Sequence, residues 1–499
     1  MFKKLAEAIK RKPAIGWGIF TVVMIGVFFL GLLAASITER RAEIVTLFNN
    51  KKIQIEGINP HNAEWGINYP REYTTWKKTE EMDFRSKHMG NAPTDVLESR
   101  PEMVVLWAGY AFAMDYTAPR GHMHAIEDMT GTLRVGSPDE HTADMQPGTC
   151  WTCKSPDVPR LMNEVGIEDF YKAKWSQWGS EVVNPIGCAD CHDPSTMNLT
   201  ITRPALVEAF QRQGKDIAQA TPQEMRSLVC AQCHVEYSFQ GESKYLTFPW
   251  DNGMTVEDME AFYDNMQFTD FTHKLSKAPI LKAQHPDYEL FVMGPHAKRG
   301  LSCADCHMPY LSEGGIKYSN HQIMSPLKNI ANTCQTCHRD SEEALRNYVY
   351  EYQDKALEIR DRVENELSRA HIMAKVAWEN GAKEAEMHQA LQLIRQAQWR
   401  WDFAVASHGA SFHAPVETQR ILAHSLDRTM QAQLELQKVL YTQGITKIDF
   451  PDLSTKEKAQ EYIGIGIKER KEQKENWKKN TLPKWIEKAK QEGKLIAHK

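Results

Sequence analysis

All ten cysteines of this 499-residue chain fall into five C-x-x-C pairs, and that constrains its fold more than any other feature. Four pairs run directly into histidine: Cys188-Ala189-Asp190-Cys191-His192, Cys230-Ala231-Gln232-Cys233-His234, Cys303-Ala304-Asp305-Cys306-His307 and Cys334-Gln335-Thr336-Cys337-His338. The first, Cys150-Trp151-Thr152-Cys153-Lys154, ends in lysine instead. C-x-x-C-H is the attachment site of c-type haem, whose vinyl groups bond the two thiols while the histidine turns onto the iron. Zinc sites and disulfides also use paired cysteines. Four immediate histidines, with no cysteine left over, favour haem over both. The chain is expected to hold five covalently attached haem c groups, four on histidine and one on Lys154.

Length alone suggests two or three domains. Each porphyrin, however, is a large apolar body that replaces side-chain core, so a single domain wrapped around a haem cluster serves equally well. The formal charge of -5 gives no basic field for nucleic acid. Residues 1–13 carry Lys3, Lys4, Lys10, Arg11 and Lys12, and residues 14–37 are uncharged and mostly apolar. A signal peptide needs an apolar core of about 7–15 residues, whereas a spanning helix needs about 20. The run therefore favours an uncleaved membrane anchor, and Ala34-Ala35-Ser36 at its end keeps a cleaved signal open. Either way the basic flank stays in the cytoplasm and the rest is exported, making the protein periplasmic. The expected segments are an anchor or signal over 1–37, a pentahaem domain over 38–340 and a long-helix region over 341–499.

Residues 38–90 show no clear period and read as a connector. Residues 91–149 are loop-rich, broken by Pro101, Pro119, Gly121, Gly131, Gly136, Pro138 and Pro147, with a short apolar helix over 103–114. Thr221-Pro222-Gln223-Glu224 is a capping box with proline at the first helical position, so a helix should run from it into Cys230. Residues 235–300 return to loop, and strand signals are few. From 327 to 414 there is no proline. Leu345, Val349, Tyr352, Ala356, Ile359, Val363 and Leu367 recur at spacings of three and four along one helix face. A second helix is expected over 383–407, and a third from Pro415 with Leu422, Leu426, Met430 and Leu434 on its apolar side. The Lys/Glu-rich tail after Pro451 reads as a solvated helix with a frayed end. The fold class is mainly α, a loop-rich haem domain with long C-terminal helices.

A haem with two strong axial ligands moves electrons and binds nothing else. The Lys154 haem is the candidate for an open iron. An ammonium has no lone pair, so Lys154 must be neutral to coordinate, its pKa lowered by metal and burial.

Beyond the haem motifs stand Tyr116-Thr117-Ala118-Pro119-Arg120-Gly121-His122, Thr132-Leu133-Arg134, Cys233-His234-Val235-Glu236-Tyr237, Lys282-Ala283-Gln284-His285-Pro286, Gly294-Pro295-His296 and Ser407-His408-Gly409 with His413-Ala414-Pro415. With one lysine-ended and four histidine-ended motifs, the set resembles the pentahaem cytochrome c nitrite reductase family, the ammonia-forming enzymes, over about residues 60–460. The resemblance implies a six-electron reduction of nitrite to ammonium on the distal face of the Lys154 haem. Arg134, Tyr237 and His285 would be the catalytic residues. Their chemistry suits an anion whose N–O bonds must be protonated. It implies one calcium ion held by the Glu236 carboxylate, the Gln284 side chain and the carbonyls of Tyr237 and Lys282, all hard oxygens. It also implies distal ligands: His122 opposite His234, His321 opposite His192, His296 opposite His338 and His413 opposite His307. His408 stays open as a rival to His413, and His124 to His122. His61, His88, His273, His371, His388, His424 and His498 are assigned to the surface or to the surroundings of the ligands. The family further implies a membrane quinol-oxidising multihaem cytochrome as electron donor, a homodimer and no nucleic acid.

The rival readings are a pure electron-transfer multihaem cytochrome, with every iron closed, and a reductase of hydroxylamine or sulfite. A hydroxylamine-oxidising enzyme would carry more haem motifs than five.

Overall fold

The computed structural model describes residues 2–48, 51–88, 90–118, 120–139 and 146–496. Pro119 and His498 lie outside them. Backbone contacts divide the chain into two units, Met1–Gln54 and Ile55–Lys499.

In the first unit a basic-ended helix, Phe2–Arg11, precedes a longer one, Pro13–Phe48. Pro13–Arg40 has mean hydropathy 2.5 and buries none of its surface, with Trp17, Phe20, Phe28 and Leu30 all exposed. By length and composition this helix can cross a bilayer, a test that a secretory signal also passes.

The second unit is built from short helices around the cysteine motifs and three long helices behind them. The motifs shape their own backbone. In Cys188–Cys191 and Cys303–His307 the aspartate of C-A-D-C folds back onto the helix start: Asp190 accepts from the Gly187 N–H at 2.8 Å, and Asp305 from the Ser302 N–H at 2.7 Å. Arg203 pairs with Asp190 at 2.6 Å, and Arg226 with Asp305 at 2.9 Å. The helix Pro222–Ala231 has the expected capping box between Thr221 and Glu224 and delivers Cys230 at its last turn.

The long helices are Glu342–Glu379, Glu384–Ala406 and Pro415–Thr442. Leu367, Ala370, Ala374, Ile394, Ala397, Trp401, Ile421 and Leu436 are buried among them, and each large apolar group removed from water contributes about 1.5–3 kcal/mol. One expected stripe drifts out of this core. Along Pro415–Thr442, Leu422 is buried, but Met430 and Leu434 are exposed and the inner face runs through Ser425, Thr429, Ala432 and Leu436. Steps of four overshoot a 3.6-residue turn by about 40° each, so such a stripe rotates off its face. Along Glu342–Glu379 the expected stripe keeps to the inner face, with Tyr352 alone of its residues exposed.

Three further expectations need correction. The helix over 103–114 is only Glu102–Leu106, because Gly109, at φ +98°, turns the chain back. The presumed connector forms the helices Asn62–Asn68 and Pro70–Lys77, which dock on the second cysteine motif: Asn62 accepts from the Cys188 N–H at 2.8 Å, and Trp76 donates to the Ile186 carbonyl at 2.9 Å. The tail is three helices, Lys456–Tyr462, Ile467–Asn480 and Leu482–Gln491, with Lys456, Ala459, Lys474, Trp477 and Ala489 buried against the body.

Three two-stranded hairpins complete the unit, and each adjoins residues of the site. Ser238–Gln240 pairs with Tyr245–Thr247 just after Tyr237, and Phe271–Thr272 pairs with Pro279–Ile280 just before Lys282. Tyr310–Glu313 pairs with Ile316–Ser319 through Gly314 and Gly315, both at positive φ as a tight hairpin turn requires, and leads to His321.

Candidate active site and haem cavity

A cavity of about 2260 Å³ runs through the second unit, against about 300–1,000 Å³ for an ordinary ligand pocket. All ten cysteines line it, and none is in a disulfide. Burial pushes the thiols of Cys188, Cys191 and Cys306 up to about 12.

The motifs are stacked in a defined order. Thiols of the first and third meet through Cys153 and Cys233, and those of the third and fourth through Cys230 and Cys303. Cys191 of the second motif lies within electrostatic reach of Cys233, and Cys334 of the fifth within reach of Cys306. The third motif stands at the centre.

Histidine spacing tests whether haem fits. A metal–imidazole bond is about 2.0 Å, and a ring nitrogen lies about 1.2 Å from the ring centre, so two rings clamping one metal have centres about 6.4 Å apart. His192 and His321 stand 6.2 Å apart, His296 and His338 6.4 Å, and His307 and His413 6.2 Å. Hydrogen bonds aim the rings. The Nδ1 atoms of His192, His307 and His321 bond the carbonyls of Met197, Met324 and Ser319, each at 2.9 Å, which leaves Nε2 as the free ligand atom. Gly294 and Gly409 let His413 approach, since a Cβ on either would collide with its carbonyl or its ring. The residues therefore fit haem.

His122 lines the same cavity, its pKa lowered to about 4 by burial and by the neighbouring His234 and Lys154. His124 instead has both ring nitrogens engaged, with Glu127 and the Glu80 carbonyl, at 3.0 Å each. His408 also lines the cavity, but it is His413 whose ring faces His307. His273 and His371 are neither surface nor cavity residues. They are fully buried and stacked at 3.7 Å: His273 bonds the Val105 carbonyl and His371 bonds Gln398.

Arg134, Tyr237 and His285 line the cavity, Arg134 and Tyr237 within electrostatic reach of the Lys154 motif's cysteines and His285 within reach of Lys154 itself. Arg134 donates to the Asp115 carbonyl at 3.1 Å and lies 4.4 Å over the Phe112 ring. Tyr237 and His285 have ring centres 6.4 Å apart. Burial, then the nearby Lys154, pushes the His285 imidazole down to about 3. Burial also raises the Tyr237 phenol well above its usual range. Two residues along, Asp287 accepts from His234 Nδ1 at 3.3 Å and from the Ser407 hydroxyl at 2.5 Å. Sequence reasoning passed over Asp287, although a carboxylate just after His285-Pro286 was visible.

Of the four expected calcium ligands, Glu236, Gln284 and the Lys282 carbonyl lie side by side. The Glu236 carboxylate is buried and accepts from the Tyr263 hydroxyl at 2.9 Å and the Gln284 N–H at 2.5 Å, and the Gln284 amide lies 3.3 Å from the Lys282 carbonyl. Burial raises the Glu236 pKa well above the usual range, a state that a cation would relieve. Among the described residues no three His, Cys, Asp or Glu side chains cluster as metal ligands, so an ion here would rest on one carboxylate and neutral oxygens. Lys282 turns its own side chain away, to Asp402 at 2.9 and 3.1 Å.

The chain matches the cytochrome c552 family model over residues 61–494. It is 62% identical over 487 residues to cytochrome c-552 of Bacteroides fragilis, covering 97% of this chain and 99% of that one. With cytochrome c-552 of Porphyromonas gingivalis the identity is 60%, covering 98% and 99%. With that of Desulfotalea psychrophila it is 46%, covering 95% and 94%. Among solved structures, the catalytic subunit of cytochrome c nitrite reductase from Desulfovibrio desulfuricans, described for its two calcium sites, superposes with a TM-score of 0.74 at 29% identity, covering 84% of this chain and 91% of that one.

Proposed function

Because the chain belongs to the cytochrome c552 family, we propose that it is an exported cytochrome c nitrite reductase that forms ammonium. The observation that carries the reading is the single lysine-ended motif, with Arg134 and Tyr237 within electrostatic reach of its cysteines and His285 within reach of Lys154. Cys150, Cys153 and Lys154 would hold one haem. The pairs His192/His321, His234/His122, His307/His413 and His338/His296, with their cysteines, would hold four more. Bound this way, the five groups supply a path for single electrons and one iron with a face open to substrate.

The chain's own residues supply the rest. Arg134, permanently charged, draws in the anion and steadies charge on its oxygens. His285, held neutral by burial, and the Tyr237 hydroxyl are placed to pass protons as the two N–O bonds break. By balance, nitrite to ammonium takes six electrons and eight protons and releases two waters. Glu236, Gln284 and the carbonyls of Tyr237 and Lys282 would hold one calcium ion, fixing the segment that carries His285. With the motifs in this order, a haem on the third motif would lie between the Lys154 haem and the others, and would supply the step that passes electrons to it.

The segment over 1–37 would anchor the periplasmic body, 38–340 would hold the haems, and 341–499 would carry the homodimer surface, where Met430, Leu434 and Tyr441 are exposed. A membrane quinol-oxidising multihaem cytochrome would be the donor. Titrating reduced viologen against nitrite tests the proposal: six electrons consumed per nitrite, with ammonium as product, are expected. One or two electrons per nitrite, with a gaseous oxide as product, would refute it.

A further inference from the structure

The loop that carries Arg134 is held from outside by the C-terminal tail. Among the described residues, 132–138 make one backbone-to-backbone hydrogen bond, Gly136 N–H to the Leu133 carbonyl at 3.0 Å. The loop is otherwise held by its neighbours: Asp115 accepts from the Leu133 N–H at 2.6 Å, Gln146 donates to the Arg134 carbonyl at 3.4 Å, and the tail takes the carbonyls on either side. Lys474, on the tail helix Ile467–Asn480, is only 2% exposed. Its ammonium donates to the carbonyls of Thr130, at 3.1 Å, and Gly136. One turn on, the Trp477 indole donates to the Pro138 carbonyl at 2.8 Å. The three acceptors bracket Arg134 in the sequence. An ammonium in a lysine-rich surface helix has no reason to be buried unless those carbonyls repay its lost hydration.

The same helix reaches the Lys154 motif. Trp477 stands 6.1 Å from Trp175 and 5.1 Å from Trp485. Trp175 stacks on Trp151 at 5.1 Å and 5°. Trp151 sits between the two cysteines of the lysine-ended motif, so one helix touches the anion-binding loop directly and the motif that faces it through Trp175.

We propose that Lys474 and Trp477 are positioning residues that set the Arg134 guanidinium against the Lys154 site, and that the tail thereby tunes affinity for the substrate anion. The inference rests on the reading of Arg134 as the nitrite-binding cation. Each tail contact is a buried hydrogen bond of about 1 kcal/mol, more where a charge is involved, so its loss should cost about five- to tenfold.

The test uses the haem-loaded, full-length protein, with Lys474→Met, Trp477→Phe (which keeps the ring and loses only the N–H) and Arg134→Ala, alone and combined. Both tail variants should lower kcat/KM for nitrite about five- to tenfold and leave that for uncharged hydroxylamine within about twofold. On the Arg134→Ala background neither should lower it further. Equal losses on both substrates, or the same loss with and without Arg134, would overturn the inference, as would a nitrite effect of Arg134→Ala that neither tail variant shares. If Arg134→Ala itself leaves nitrite kcat/KM unchanged, the anion-binding reading falls and the inference with it. Should Lys474→Met fail to load haem, Trp477→Phe decides alone.

Discussion

Asp402→Asn should damage the protein far more than one lost carboxylate normally does. Lys282 and Asp402 are each only 2% exposed, and the Lys282 ammonium meets both Asp402 oxygens, at 2.9 and 3.1 Å. Asp402 also accepts from the Ala283 N–H at 2.6 Å. Asparagine keeps one acceptor but turns an amide donor toward two existing donors and leaves the ammonium unpaired in a dry core. Breaking such a pair from one side costs about 3–5 kcal/mol. With a urea slope of about 3 kcal/mol per molar or more for a chain this long, the midpoint should fall by about 1 M, measured by far-ultraviolet circular dichroism. Nitrite turnover should fall too, since the Lys282–His285 segment carries the proposed calcium ligands and His285. Replacing both partners, Lys282→Met with Asp402→Leu, removes the stranded charge and should recover most of the loss. A single variant within about 1 kcal/mol of the parent would refute the buried-pair reasoning. So would a double variant no better than the single.

Lys154→His should keep five haems, counted by mass, and lower nitrite turnover, because the proximal ligand tunes the iron; a parental rate would make the lysine incidental. His285→Ala should slow nitrite reduction by about 10²–10⁴ and hydroxylamine reduction by less, since hydroxylamine arrives with one N–O bond already broken. Equal losses with all haems intact would make His285 structural. Burial pushes the His371 imidazole down to about 4, so the folded protein keeps it neutral while the unfolded chain protonates it below about 6.5. Its contribution is complete above that pH and is lost as pH falls toward 4, at about 1.4 kcal/mol per unit. His371→Gln should therefore flatten the pH dependence of the urea midpoint between pH 6.5 and 4.5 by about one proton, and an unchanged slope would count against the buried neutral pair.

The sequence made the cysteine motifs, the Thr221 cap and the three long helices legible because those signals are local: spacing, capping chemistry and a helical period. It misled where packing decides. The four-residue stripe ending in Met430 and Leu434 is apolar, yet it rotates into solvent, and small polar residues fill the inner face instead. The tail looked solvated because Lys474 and Trp477 are two residues in a charged run, and nothing local marks which lysine meets two carbonyls more than 300 residues away. His273 and His371 looked peripheral for the same reason, since their partners, Val105 and Gln398, come from distant segments. The ring spacings of the histidine pairs depend on such long-range closures, and only the resemblance reached them in advance.

The proposed reaction needs one iron open while four are closed. Electron paramagnetic resonance of the fully oxidised protein, before and after nitrite, tests this most directly. One high-spin ferric signal beside low-spin ones is expected, with the high-spin signal alone changing when nitrite is added. Five low-spin haems, unaltered by nitrite, would contradict it and leave an electron carrier in its place.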